Sequence, residues 1–339
     1  MVKFALCGAG RIGGGIHAAN IAVHDDAELV YVYDKVKKVS ESVAGRYRAR
    51  AVDNIAEILD SDIDAVLIAS STDTHLELIQ AAAQAKKAIL CEKPIALDTK
   101  AIKACWEQIS SYRPLIQIGF NRRYDATHRQ VYDLVTNGDI GEINQVMVTS
   151  RDPGPPPMEY LQVSGGLFRD QMIHDFDLVR FIIREEPVTI TAIGSVLVDQ
   201  EIGSLGDVDT AMVQMTTSSG VQCHINCSRR AVYGYDQRLE VFGSTGMACS
   251  TNIRENNAVL FSATAGGAQR PLKNFFLDRY AAAYQAELDD FIEAVQGLHA
   301  PAVNFSDGYR SLILADAAER SLREKTTVEI PSTDILDLP

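Results

Sequence analysis

From Val2 to about Ile118, short apolar runs alternate with stretches whose apolar residues recur at i, i+3 and i+4. KFALCG reads as a buried strand, followed by a glycine turn and a helix from about Ile12 to Val23. AELVYVYD, DAVLIAS, AILCEKP and LIQIGF read as further strands. Between them KKVSESVAGRYR, NIAEILD, HLELIQAAAQAK and TKAIKACWEQISSY carry the helical period. Strand–helix alternation of this kind predicts a parallel, doubly wound sheet. After Gly119 the texture changes. A helix from about Thr127 to Thr136 leads to the strand INQVMVTSR, a proline-rich loop DPGPPP, and the helical stretch GLFRDQMIHDFDLVRF. VTITAIGSVLV, VDTAMVQMTT, VQCHINCS and RLEVFGS then follow without helices between them, which predicts a largely antiparallel sheet. Helices around Tyr284–Gln296 and Asp307–Arg323 close the chain before a short acidic tail, STDILDLP, expected to be mobile.

Composition narrows the class. A chain of 339 residues suits two domains, and 46% hydrophobic with 23% charged residues is globular. A net charge of −13 argues against a nucleic-acid surface, which needs clustered Lys and Arg. Six scattered cysteines form no CxxC pair and are expected to be reduced thiols. Cys223 and Cys227 share a strand face roughly 13 Å apart, too far for one ion. MVKFALCGAG reads as a strand and turn rather than a leader, and no apolar run is long enough to span a membrane. A cytoplasmic protein is the expectation.

GAGRIG places Gly8, Gly10 and Gly13 in the GxGxxG spacing between a strand and a helix. The first glycine permits the tight turn, the second lets a pyrophosphate approach the backbone, and the third lets helix pack on strand. Asp34 ends the next strand, where a carboxylate accepts hydrogen bonds from adenine-ribose hydroxyls and repels a 2′-phosphate. NAD is therefore expected. Lys35, Lys37 and Lys38 soften the preference and leave NADP as a poorer or dual cofactor. CEKP, Cys91 to Pro94, lies at the carboxyl end of a predicted parallel strand, where open α/β sheets bind ligands, and its proline is a candidate for a cis bond. Position alone leaves Lys93 either over the cofactor or in a strand-end salt bridge. In GLFRDQMIHDFDLVRF, Met172, Phe176, Val179 and Ile183 form one buried stripe, while Asp170, His174 and Asp177 stand at i, i+4 and i+7 on another face.

Together the glycine motif, EKP, NRRYD (Asn121–Asp125), SRDPGPPP, SGGLFRDQMIHDFD and YGYD (Tyr233–Asp236) resemble the Gfo/Idh/MocA oxidoreductases, most of all their inositol 2-dehydrogenase branch. The resemblance covers nearly the whole chain. It implies an α/β fold: a Rossmann domain over residues 1–120, then, over 121–339, a substrate-binding and oligomerisation α/β domain with a large open, mainly antiparallel sheet, commonly used for tetramer assembly. It implies NAD-dependent oxidation of a cyclic polyol, with myo-inositol to its 2-keto product first in line. Carried over position by position, Lys93 bonds the reacting hydroxyl, and Asp170 and His174 form the acid–base pair. Arg123 and Tyr235 fall on substrate-contact positions and Asp177 is expected to meet polyol hydroxyls, while Asn121 and Asp152 are expected to join them as donor and acceptor types that suit a neutral polyol. Around the cofactor the resemblance sets Arg11 and Ile12 of the glycine turn, Ser70, Thr72 and His75 of the following loop, and Glu92 beside Lys93. Ser71 departs from the proline of many relatives, which bears on the shape of that loop.

The residue types suit the reaction. Histidine titrates near neutrality and can take a hydroxyl proton, a neighbouring aspartate stabilises its protonated form, and a lysine cation favours the developing alkoxide. Asp170 is expected near a helix start, where the dipole favours a carboxylate. Asp170, His174 and Asp177 also have metal-ligand spacing, but no third soft ligand lies nearby and Lys93 would be redundant beside a Lewis acid, so no metal is expected. A dinucleotide-binding regulator without turnover would be expected to lose the lysine or the histidine. scyllo-Inositol, chiro-inositol, a keto-inositol or an aldose offer the same class of hydroxyls and stay open as substrates.

Overall fold

The structure, a computed structural model, describes residues 1–330; the acidic tail lies outside them. The chain forms two compact units, residues 1–124 with 282–312, and residues 125–281 with the described part of 313–335.

The first unit carries six parallel strands, β1 (Val2–Cys7), β2 (Ala27–Tyr33), β3 (Arg50–Val52), β4 (Ala65–Ile68), β5 (Ala88–Glu92) and β6 (Ile116–Gly119). Their order, β3-β2-β1-β4-β5-β6, is the doubly wound order in which ligands bind beyond the carboxyl ends of the strands. β1, β4 and β6 are buried almost throughout, as helices on both faces of a parallel sheet require. β3, only three residues long, has too little period to be read from sequence. Residues 282–312 belong to this unit, whereas the sequence reading gave everything after residue 120 to the second domain. The reason is apolar. Leu288, Phe291 and Ile292 of the helix Ala281–Val295 pack into the cluster built on Phe4, Leu6 and Leu67.

The second unit holds β7 (Ile143–Arg151), β8 (Pro187–Ser195), β9 (Thr210–Thr217), β10 (Gln222–Ser228), β11 (Asp236–Gly243) and β12 (Met247–Ser250), a hairpin of β13 (Val259–Ser262) and β14 (Ala265–Gln269), and a short β15 (Val328–Glu329). The large sheet runs β12-β11-β7-β10-β9-β8-β15 and is antiparallel except where β7 and β10 pair in parallel. Its strands alternate buried and solvent-facing residues, so one face is core. Cys223 and Cys227 share that buried face, and none of the six cysteines is in a disulfide. The other face shows Met147, Ile193, Met212 and Phe242 to solvent.

Candidate functional site

In the first unit the glycine turn is shaped as its spacing requires. Gly8 has φ +95°, and a side chain there would meet the Ser70 nitrogen at 2.3 Å. A Cβ at Gly13 would lie 1.9 Å from the Gly8 carbonyl oxygen, whereas one at Gly10 would meet nothing within 4 Å. The turn is thus closed on the strand side at Gly8 and Gly13 and open at Gly10, the cradle a diphosphate needs. Arg11 and Gly10 are exposed and Ile12 half-buried. The expected helix from Ile12 begins instead as a π-turn, Gly13–His17, in which His17 N–H reaches back to the Ile12 carbonyl at 3.1 Å, before the α-helix Ala18–Val23. Asp34 follows β2. One carboxylate oxygen accepts the Ala9 N–H (2.7 Å) and the other the Val36 N–H (2.8 Å). These bonds aim the carboxylate at the glycine turn and leave lone pairs for a ribose diol.

Beyond β4, Ser70 Oγ meets Thr74 Oγ1 at 2.6 Å, and Thr72 opens a short 3-10 turn. His75 is buried, with Nδ1 2.9 Å from the Pro94 carbonyl and Nε2 3.1 Å from the Ser70 carbonyl. Burial holds its pKa below the ordinary value, against the pull of those two carbonyls. His75 therefore straps the loop after β4 to the EKP loop, an indirect way of shaping a cofactor site. Lys93 is half-buried just past β5, and the Lys93–Pro94 bond is cis. Glu92 points inward, with Oε1 2.6 Å from His17 Nε2.

In the second unit the expected single helix is split. Gly166–Asp170 and Ile173–Ile183 are separate helices, joined where Met172 N–H skips to the Leu167 carbonyl (2.9 Å), five residues back. Asp170 consequently ends the first helix and precedes the second, rather than standing at the start of one continuous helix as anticipated. Its carboxylate is fixed by other means. Tyr160 donates its hydroxyl to one oxygen (2.7 Å), and Arg229, buried to 1% exposure, meets the other at 3.2 Å. Arg229 also stands 3.8 Å from Asp207, whose carboxylate accepts the Leu167 N–H at 3.0 Å. Burial holds Asp207 above the usual carboxylate range in spite of its backbone donors. From Ile173 to Arg180 every residue is buried except His174, which stays partly exposed. The stripe Met172, Phe176, Val179, Ile183 is buried as expected.

The remaining expected contacts fall in varied surroundings. Asp177 is buried, with an oxygen 3.8 Å from Arg180 Nη1. Arg123 is buried within the first unit and paired with Asp307 at 2.9 Å, an engagement that fixes its guanidinium structurally. Asn121, buried beside it, opens a 3-10 turn. Tyr235 is buried edge-on against Tyr280, while exposed Tyr233 donates to Asp236 (2.6 Å) and accepts from Arg151 (2.8 Å). Asp152 splices the strand end, its N–H on the Ser228 carbonyl and its own carbonyl accepting the Ala231 N–H. Among the described residues one group has metal-ligand proximity: His17, Glu92 and Glu287, all in the first unit and none of them from the Asp170 stretch. Tyr160, Asp207, Arg229, His17 and Glu287 were not singled out in the sequence. Only Glu287 carried a signal, an acid on the apolar stripe Tyr284, Leu288, Phe291.

Residues 2–120 match the model of an oxidoreductase family with an NAD-binding Rossmann fold, and residues 128–249 match the GFO/IDH/MocA C-terminal domain. The chain is 46% identical over 332 residues, 97% of its length and 99% of the relative's, to an inositol 2-dehydrogenase of Rhizobium meliloti. It is similar to the crystal structure of a myo-inositol dehydrogenase from Corynebacterium glutamicum, with a TM-score of 0.94, 40% identity and coverage of 98% and 99% of the two chains. A scyllo-inositol dehydrogenase from Lactobacillus casei, solved with NAD(H) and scyllo-inositol bound, superposes with a TM-score of 0.90 at 27% identity, over 97% and 99% of the chains.

Proposed function

The chain belongs to the Gfo/Idh/MocA oxidoreductase family, and from that premise we propose that it oxidises a secondary hydroxyl of a cyclic polyol to a ketone with NAD, myo-inositol to its 2-keto product being the reaction that fits best. The kinship to the Rhizobium enzyme supports the substrate class. The chemistry rests on one observation: in the buried run Ile173–Arg180, His174 alone is left partly exposed, four residues from an aspartate held by two donors.

When bound, the nicotinamide supplies the hydride acceptor. The residues do the rest. Gly10 leaves the backbone open to the diphosphate, Asp34 selects the ribose diol, and Arg11, Ile12, Ser70 and Thr72 line the cofactor. His174 Nδ1 is buried, so proton uptake falls to Nε2. Asp170 favours the imidazolium that forms, and the Lys93 ammonium lowers the energy of the developing alkoxide. Asn121, Arg123, Asp152, Asp177 and Tyr235 hold or frame the other hydroxyls, which donors and acceptors of this mixture suit. NADP is the poorer cofactor because Asp34 would face its 2′-phosphate. The protein acts in the cytoplasm, as a tetramer assembled through the apolar face of its large sheet.

A panel of inositol isomers and aldoses, run with NAD and with NADP and followed by nicotinamide absorbance, tests this reading. myo-Inositol with NAD should give the highest kcat/KM, and His174→Ala should lower kcat by about 100-fold or more. Preference for a linear sugar or for NADP would overturn the substrate or cofactor assignment. Turnover surviving in His174→Ala from about pH 6 to pH 10 would remove the general base.

A further inference from the structure

Three titratable side chains meet in the interior of the first unit, behind the EKP strand. His17 ends the π-turn that follows the glycine motif, Glu92 ends β5, and Glu287 lies in the middle of the helix Ala281–Val295. His17 is 1% and Glu287 0% exposed, and their ligating atoms and that of Glu92 lie within 4.8 Å of one another. His17 Nε2 and Glu92 Oε1 are 2.6 Å apart, a short hydrogen bond. Neither oxygen of Glu287, nor His17 Nδ1, has a hydrogen-bond partner among the described residues.

The surroundings hold the group in register. Gln117 donates to the Glu287 main-chain carbonyl at 2.9 Å, joining that turn of the helix to β6. Tyr284, one turn earlier, stands edge-on to the His17 ring with centroids 5.7 Å apart. Gly119, paired with Glu92 across the sheet, has no side chain, and a Cβ there would press on the Glu92 carboxyl at 3.1 Å. The dinucleotide turn, the EKP strand and the returning helix thus share one buried polar junction, and Lys93 is the residue that follows it.

We propose that His17, Glu92 and Glu287 form a buried clamp that positions Lys93 for the hydride-transfer reaction, Glu287 being a positioning residue that acts through Glu92. This rests on the proposed role of Lys93. Two adjacent buried carboxyl groups do not both ionise readily. Burial first, then the charges of Glu92 and Asp290, pushes Glu287 well above the usual carboxylate range. Glu287 thus favours its neutral form, and it faces the His17–Glu92 pair from within 4.8 Å. The titratable groups facing it are His17 and Glu92 from the sheet side, with Asp290 of its own helix and Tyr124, which donates to Asp290 at 2.7 Å. Loss of the Glu287 proton as pH rises puts a second negative charge beside Glu92 and drives it, and Lys93 after it, out of position.

The test compares Glu287→Leu and Glu287→Gln in the full-length enzyme, reading kcat, KM and NADH affinity against pH. Glu287→Leu is expected to lower kcat by about 10- to 100-fold, the scale of a small misplacement of a reacting group, with NADH binding nearly unchanged. Glu287→Gln, neutral and a donor at every pH, should restore most of kcat and lose the parent's decline as pH rises. A protonated-carboxyl infrared band present in the parent and absent from Glu287→Gln would support the clamp independently of turnover. Parent-like kcat in Glu287→Leu, or equal defects in both variants with an unshifted pH profile, would overturn it. So would a stoichiometric metal in the purified protein whose chelation reproduces the Leu variant. Lys93→Met with full turnover would instead remove the reading of the reaction, while the infrared band still reports on the clamp.

Discussion

Asp34 serves two masters, since the carboxylate offered to a ribose also accepts the Ala9 and Val36 N–H groups at 2.7 and 2.8 Å. Bonds to a charged acceptor are each worth about 1.5–3 kcal/mol. Asp34→Ser should therefore raise KM for NAD by roughly 10- to 100-fold and narrow the preference over NADP, because the 2′-phosphate no longer meets a carboxylate. Initial rates with both cofactors check this, and an unchanged NAD/NADP ratio would contradict it. Asp34, Gly8 and Gly13 were legible in the sequence because the motif encodes a local turn. The partners of Asp170 were not. Arg229 lies 59 positions away, and nothing in residue order tells that the end of β10 delivers a buried guanidinium to that carboxylate. Tyr160, only ten positions away, sits past a proline-rich loop whose path has no period to read. Long-range polar pairs of this kind are set by the sheet register, which only the fold supplies.

At the scale of elements, Asp125 ties two helices together. It caps Ala126–Thr136 by accepting the Thr127 and His128 N–H groups at 3.1 Å, and it pairs with buried Arg279 at the end of Phe276–Arg279. Burial pushes its pKa up, but the bond from Arg279 and the neighbouring donors outweigh that and hold it down at about 2. The folded value thus lies below the ordinary 3.8, so the stabilisation is complete above about pH 4 and fades as pH falls toward 2. It amounts to about 2 kcal/mol at neutral pH. Asp125→Asn should lower Tm near neutrality, and its stability should differ less from the parent's as pH falls from about 4 to 2; circular-dichroism melts over that range read both. A constant gap across the range would show the pair to be electrostatically inert. The helix itself was legible from its apolar period, expected over about Thr127 to Thr136, while its aspartate cap was not singled out. The split between Gly166–Asp170 and Ile173–Ile183 was not, because no proline or glycine marks it. A single five-residue hydrogen bond, from Met172 to Leu167, shifts the helical register while the apolar stripe stays buried.

At the scale of the molecule, the strand–helix alternation was enough to predict the parallel sheet, and the helix-free run of strands the mainly antiparallel one. The return of residues 282–312 to the first unit was hidden because an amphipathic helix shows that it has an apolar face and not which core receives it. The exposed face of the large sheet has the same character. On neighbouring strands, Ile193 pairs with Met212, and Phe242 with Met247. Ile193 is 64% and Met212 46% exposed, so they contribute little to the core of their own unit. Apolar side chains clustered on a sheet face are what an interface between identical subunits requires. Charges placed there should cost the folded subunit little, within about 0.5 kcal/mol for exposed positions, but should be costly in a contact that brings like charges together. Ile193→Asp combined with Met212→Asp is therefore expected to leave Tm of the dissociated chain near that of the parent while reducing the mass measured by light scattering or sedimentation. A parent that sediments as a monomer, or a double variant that keeps the parent's mass, would place the subunit interface elsewhere or nowhere.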